Sequence, residues 1–255
     1  MSGAAANPNE GVAFKVRIVY SKLGKVRFTS HRDMARIWER SLRKAGVPIA
    51  YSQGFSPRAK LSFGLALPTT FESAAEYVDL SLAVRNIDVA GLPKLLTPAL
   101  PVGVEVFDAV VLPDRGVISL QQAVTSTTWM LSLAAESSVV ASWIGSVLDA
   151  PEIEITRERK GKSITEDVRP AVLSLELCDE PAHAEEFPPG TVHLIAELAT
   201  QPRALRPNEL LGVFSPEWTF VRGRRLHQWI ASDGARVDPM SIGAAPTPHR
   251  ELCAS

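Results

Sequence analysis

Between residues 14 and 46 the apolar pattern changes period once, and that change limits what the chain can build. Residues 14–21 (FKVRIVYS) alternate, with Phe14, Val16, Ile18 and Tyr20 on one side, as a half-buried strand does. Gly24 marks a turn, and residues 26–28 read as a short continuation of the strand. Ser30 and Asp33 then form an S-x-x-D start, in which the hydroxyl accepts from a first-turn N–H and the acid suits the positive helix end. Met34, Ile37, Trp38, Leu42 and Ala45 recur at helical spacing, and Gly46 supplies the C′ stop. A strand followed at once by an amphipathic helix opens a split βαβ unit.

The order continues. Residues 48–52, 61–67, 76–83 and 102–112 read as strands, and 88–96 as a short helix flawed by Pro93. A similar order returns with a strand at 126–134 and a helix at 137–148 that turns Val139, Trp143, Ile144 and Val147 inward. Strands at 152–157 and 163–167 flank a Lys160-Gly161 turn. A strand at 191–199, a short helix at 207–213 and a last strand at 218–230 follow. Residues 178–190 form an acidic, Pro-rich loop. The predicted fold class is α+β, with two tandem ferredoxin-like (split βαβ) units and antiparallel sheets. The boundaries are a disordered arm at 1–12, a first unit with a basic face at 13–115, a second unit at 122–231 and a disordered tail at 232–255.

Charge is distributed unevenly. The chain of 255 residues has 27 basic against 28 acidic groups, but residues 1–64 hold twelve Lys and Arg against Glu10, Asp33 and Glu39. Local potential, rather than net charge, steers an anion. Lys22, Lys25 and Arg27 precede the helix. Arg32, Arg36, Arg40 and Arg43 lie on the face opposite its apolar stripe, and Arg58 and Lys60 follow in a loop with Gly54, Phe55, Ser56 and Pro57. Guanidinium groups grip phosphate oxygens in forked geometry, and open N–H groups at a helix start favour an anion. Phe55 can stack on a base, or it can tuck into the core of an ordinary turn. Salt pairs Asp33–Arg36 and Glu39–Arg43 would instead make the helix face a merely solvated one. The candidate RNA- or anion-binding residues are Lys22, Lys25, Arg27, Ser30, His31, Arg32, Arg36, Gly54, Phe55, Ser56, Arg58 and Lys60. Farther on, Arg157, Arg159, Lys160 and Lys162 surround a hairpin turn. Alternation on the last strand predicts exposed Arg222 and Arg224.

Ser30, His31 and Asp33 share one helical turn and diverge, so they cannot form a triad, which needs the imidazole between nucleophile and acid. His31 is the one candidate catalytic residue, as an acid or base near a phosphodiester. The five histidines and two cysteines show no ligand spacing for a metal, and no dinucleotide fingerprint is present. No cofactor is expected. No apolar run is long enough to span a bilayer, and residues 1–11 (MSGAAANPNEG) lack the apolar and basic character of a signal peptide. A cytoplasmic location without membrane contact follows as the expectation.

The stretch KLGKVRFTSHRDMARIWERSLRKAGVPIAYSQGFSPRAKLSFGLALPTTFESAAEYVDL resembles a bacterial family of uncharacterised function, the radical-SAM-linked domain. The match is carried by residues 28–33, 40–46, 50–57, 62–68 and 72–79. Later it is carried mainly by Asp167, Arg169, Pro170 and the strand from Trp218 to Arg225. The family pattern has His where this chain has Arg58 and Pro where it has Ala59, so no imidazole is obligatory at 58. The resemblance implies a radical SAM protein as partner and an RNA-related context. Three readings are open at this stage. The first is an RNA-binding accessory protein for tRNA or rRNA, with nothing that specifies DNA. The second is a metal-independent RNA-cleaving or RNA-modifying enzyme, with His31 as acid/base and Arg58 or Lys60 on a phosphorane. The third is a protein-interaction scaffold.

Overall fold

In a computed structural model, residues 14–114, 117–159, 161–178, 187–214, 217–232 and 234–241 are described. The expected arm at 1–12 and most of the expected tail lie outside them. The chain is mixed α+β, with antiparallel pairing in each sheet and few helices. It divides into two compact units, one ending at Ala123 and one beginning at Val124.

The first unit contains β1 (Phe14–Lys22), α1 (His31–Lys44), β2 (Leu61–Phe63), β3 (Glu72–Leu82), α2 (Leu92–Leu96), β4 (Val106–Val111) and α3 (Leu120–Ala123). Its strands run in the order β4-β1-β3-β2. Phe14, Val16, Ile18 and Tyr20 on β1 join Val78, Leu80 and Leu82 on β3 to bury Met34, Trp38 and Leu42 of α1. Tyr20 meets Trp38 edge-on, with ring centroids 4.9 Å apart. The hydroxyl of Ser41 donates to the Ala99 carbonyl at 2.9 Å, which ties α1 to the turn after α2. As expected, Ser30 is the N-cap of α1: its hydroxyl accepts from the Asp33 N–H at 3.2 Å. Gly46 follows the helix with φ +69°, a left-handed conformation that glycine adopts at little cost.

Gly24 turns the chain as expected, but residues 26–28 depart from the expected strand. They belong to a 3-10 turn, Gly24–Phe28. Gly24 has φ +66°, and its N–H donates to Glu72 Oε1 at 2.9 Å, so a buried carboxylate on β3 fixes the turn. Residues 48–52 contribute only isolated bridges, Ile49 to Leu82 and Tyr51 to Ala59.

The second unit contains β5 (Val124–Ala134), α4 (Ser137–Asp149), β6 (Glu154–Arg159), β7 (Lys162–Asp167), β8 (Val172–Cys178), β9 (Thr191–Ala199), α5 (Pro207–Leu211), β10 (Thr219–Ser232) and β11 (Ala235–Val237). Its main sheet runs β10-β5-β9-β8, with β11 on β10, and β6 and β7 make a separate hairpin. Three findings correct the expectations. Residues 172–178 are a strand, β8, paired with β9, where the sequence reading placed no strand. Val140, not Val139, joins Trp143, Ile144 and Val147 on the buried face of α4. The expected tail contains β11, paired with Ile230–Ser232.

Arg169 and Asp167 make a joint at the foot of the hairpin. Asp167 Oδ1 accepts the N–H groups of Ile153 at 2.8 Å and Arg169 at 2.9 Å. These amides hold its carboxyl below the usual carboxylate range. The Arg169 guanidinium donates to the carbonyls of Leu148 at 2.8 Å and Val172 at 3.1 Å, and so places a cation at the negative end of α4.

Candidate nucleic-acid interface

Helix α1 presents Arg32, Arg36, Arg40 and Arg43 to solvent, opposite its buried stripe. At 1.5 Å per residue, the row from position 32 to position 43 is about 16 Å long. Arg36 pairs with Asp33 at 3.0 Å, and both side chains stay half exposed. The Asp33 carboxyl lies below its ordinary range, first because it accepts from the Ser30 hydroxyl and then because of Arg36. The expected Glu39–Arg43 pair does not form. Among the described residues Arg32, Arg40 and Arg43 have no ion-pair partner, so the row carries uncompensated charge.

The loop after α1 projects as a narrow ribbon. The Ser52 N–H donates to the Arg58 carbonyl at 2.8 Å, and the Arg58 N–H donates to the Ser52 hydroxyl at 3.0 Å. Gly54 turns the tip with φ +129°, where a side chain would be strained. Phe55 sits at that tip, fully exposed; Ser56 and Arg58 in the loop are also exposed, as is Lys60 beyond its end. The core position for Phe55 is therefore excluded. An aromatic ring held in water by a closed ribbon has its whole π face available for stacking.

Other candidates are placed differently. Lys22 is no phosphate contact: it is buried together with its neighbour Ser21, and its ammonium donates to the Thr29 carbonyl at 2.8 Å. Arg27 is partly withdrawn, lying 3.3 Å from Glu72 and over the Phe28 ring at 4.7 Å. Lys25 is exposed. His31 is exposed at the start of α1 and meets Phe63 of β2 edge-on at 5.3 Å. Ser30 serves the cap.

Several of the later basic residues are engaged within the second unit. Arg157 is held by Glu209 at 2.7 Å and Glu166 at 2.8 Å, and Arg203 also reaches Glu166 at 2.5 Å. Arg224 and Arg225 are both buried, as are Gly223 and Leu226 beside them, so both faces of this part of β10 are covered. Arg225 lies over Trp129 at 5.3 Å, and the half-buried Arg222 lies over Phe187 at 4.8 Å. One residue that the sequence reading missed stands beside these: exposed Phe28, next to Arg27.

No cluster of three or more His, Cys, Asp or Glu that could hold a metal ion occurs among the described residues. No helix there is long and apolar enough to cross a membrane.

Comparison with known proteins gives a family without an activity. Residues 15–207 match the family described as an uncharacterised protein conserved in bacteria, DUF2344. The chain belongs to that family. No curated protein matches it. Among solved structures it is similar to a chain in the crystal structure of a Cbf5-Nop10-Gar1 complex, at 13% identity and a TM-score of 0.41. That similarity covers 87% of this chain and 51% of the other, so this chain spans about half the length of the protein it matches.

Proposed function

We propose that this DUF2344 protein is an RNA-binding accessory protein, and that its first unit grips RNA by the backbone. The observation that carries the reading is the pairing of an uncompensated arginine row on α1 with a solvent-held ring at Phe55. The row supplies phosphate contacts without sequence preference, and the ring supplies stacking on an unpaired base. A merely solvated basic face explains the arginines but not an aromatic side chain kept wholly in water on a braced loop.

The fold reading that accompanies it is two tandem ferredoxin-like units. It is supported by the matching strand orders, β4-β1-β3-β2 in the first unit and β10-β5-β9-β8 in the second. A radical SAM partner acting in RNA modification or processing is the reading taken from the resemblance of residues 22–80, with the acidic remainder of the chain as the side that meets it. His31 is given a contact role here. It faces Phe63, and among the described residues no carboxylate or hydroxyl partners its ring to tune it for acid–base work.

The test is binding of a single-stranded RNA 12-mer and of tRNA, read by anisotropy across a salt series. Tight binding with a steep salt slope that falls in Arg40→Glu and Arg43→Glu supports the reading. No binding at low salt refutes it. Retention of the protein by an immobilised radical SAM protein from the same source tests the partner.

A further inference from the structure

The face of the first sheet that turns away from α1 carries two polar rows. Lys15 on β1 stands opposite Ser81 on β3, and Ser81 donates its N–H to the Lys60 carbonyl at 3.0 Å on the other side. The register of Leu61 with Leu80 continues that pairing. Lys15, Ser81 and Lys60 thus form one row across three adjacent strands. The next row is Arg17, Asp79 and Ser62. With strands about 4.8 Å apart, the two lysine backbones lie about 10 Å from each other, with the Ser81 hydroxyl between them.

These rows floor a cleft of about 480 Å³, which Leu61 and residues 117–119 also line. The volume is within the range of small-molecule sites. Its charge is cationic. Asp79 is the one acid in the lining, and Arg17 neutralises it: Nε donates to Oδ1 at 2.7 Å and Nη2 donates to Oδ2 at 2.9 Å. Lys15 and Lys60 are exposed and have no ion-pair partner among the described residues. Val117 and the exposed Ile118 give the same cleft an apolar wall.

We propose that this cleft is a binding site for a phosphate-bearing ligand of nucleotide size. The phosphate sits between the two ammonium groups over Ser81, and the flat base lies against Val117 and Ile118. Two like charges facing one hydroxyl repel each other until an anion fills the space between them, so the row is set for a dianion. The ligand chemistry is a phosphate monoester on a nucleoside, and it can come from a free mononucleotide or from the 5′ end of an RNA chain. Only the second source rests on the RNA-binding reading above.

The experiment uses the full chain with AMP as probe in calorimetry, and a single-stranded RNA 12-mer with either a 5′-phosphate or a 5′-hydroxyl in anisotropy. The variants are Lys15→Met, Lys60→Met and Ser81→Asp, with circular dichroism to establish the fold. Either Met variant alone at a surface position leaves the proposal testable if Ser81→Asp fails to fold. The expected result is that wild type binds AMP or prefers the 5′-phosphorylated RNA. That binding or preference falls at least tenfold in each Met variant and is lost in Ser81→Asp. AMP binding without RNA binding keeps the cleft and overturns the RNA reading. RNA binding that ignores the 5′-phosphate, together with no AMP binding, overturns the cleft and keeps the RNA reading. AMP binding unchanged in Lys15→Met and Lys60→Met also overturns it.

Discussion

Replacing Phe55 by Ala separates stacking from charge. The ring makes no buried contact, and its loop is braced by the paired Ser52–Arg58 bonds and the Tyr51–Ala59 bridge, none of which involves the ring. Folding stability should therefore move by no more than about 0.5 kcal/mol. Stacking of one base on an aromatic side chain contributes about 1–3 kcal/mol. At 1.4 kcal/mol per factor of ten, RNA affinity should fall about 5–150-fold. Stacking releases no counterions, so log K against log salt for Phe55→Ala should run parallel to wild type and below it. Arg40→Ala and Arg43→Ala should each reduce the slope itself by about 0.7. The assay is anisotropy with a labelled 12-mer at four or more salt concentrations, with urea denaturation alongside. An unchanged affinity for Phe55→Ala at equal stability would refute the assignment of the ring. A lower affinity with a changed slope would mean that the substitution disturbs the basic face.

Three further outcomes test the framework. Ser30→Ala removes the cap of α1 and should cost about 1 kcal/mol in urea denaturation. Trp38→Ala should cost about 3–5 kcal/mol, whereas Trp38→Phe should cost under about 1.5 kcal/mol, because the buried indole N–H has no hydrogen-bond partner. Stability should also fall on the acid side in two stages. Burial holds His193 below the usual imidazole value, so its contribution is full above that value and is lost as pH falls through the depressed one. Asp33, Glu166 and Asp167 are held low by Ser30, Arg203 and the Ile153 amide respectively. Burial raises Glu209, but its bonds to the Arg157 guanidinium and the Arg206 amide, together with both positive charges, outweigh that and hold it low. Their unfolded forms bind protons first, so their contribution is full above the ordinary carboxylate range and disappears as pH falls through the lowered values. Denaturation midpoints of Asp167→Asn across that range should decline less steeply than those of wild type.

Local chemistry decided what could be read in advance. Helix α1 was legible because its cap, apolar stripe and stop all lie within residues 30–46 and agree with one another. Residues 26–28 misled because what bends them is remote: Glu72, on β3, captures the Gly24 amide. Lys22 and Arg224 misled for a shared reason: each is buried together with its neighbour in sequence, Ser21 and Arg225, so both faces of the strand are covered there and alternation does not separate inside from outside. β8 was hidden by position: its alternating VLSLELC lies between a Pro-containing turn and an acidic stretch, and its strand character shows in its pairing with β9. The basic helix face was legible as charge. The cleft was not, because Lys15 and Lys60 lie forty-five positions apart in sequence and only the three-strand register brings them into one row.

The joint at the foot of the β6–β7 hairpin gives this part of the chain the logic of a socket. The Ile153 carbonyl takes the Val168 amide at 2.8 Å, Asp167 takes the Ile153 amide, and Arg169 secures the neighbouring helix end. The two chain ends that enter and leave the hairpin are thus clamped to each other, independently of how far it extends. Outward of the Arg157–Ile164 rung, the sequence can be lengthened, shortened or exchanged for another short ribbon while the sheet keeps its register. A reporter peptide grafted at the Gly161 turn should leave the register of the second sheet unchanged.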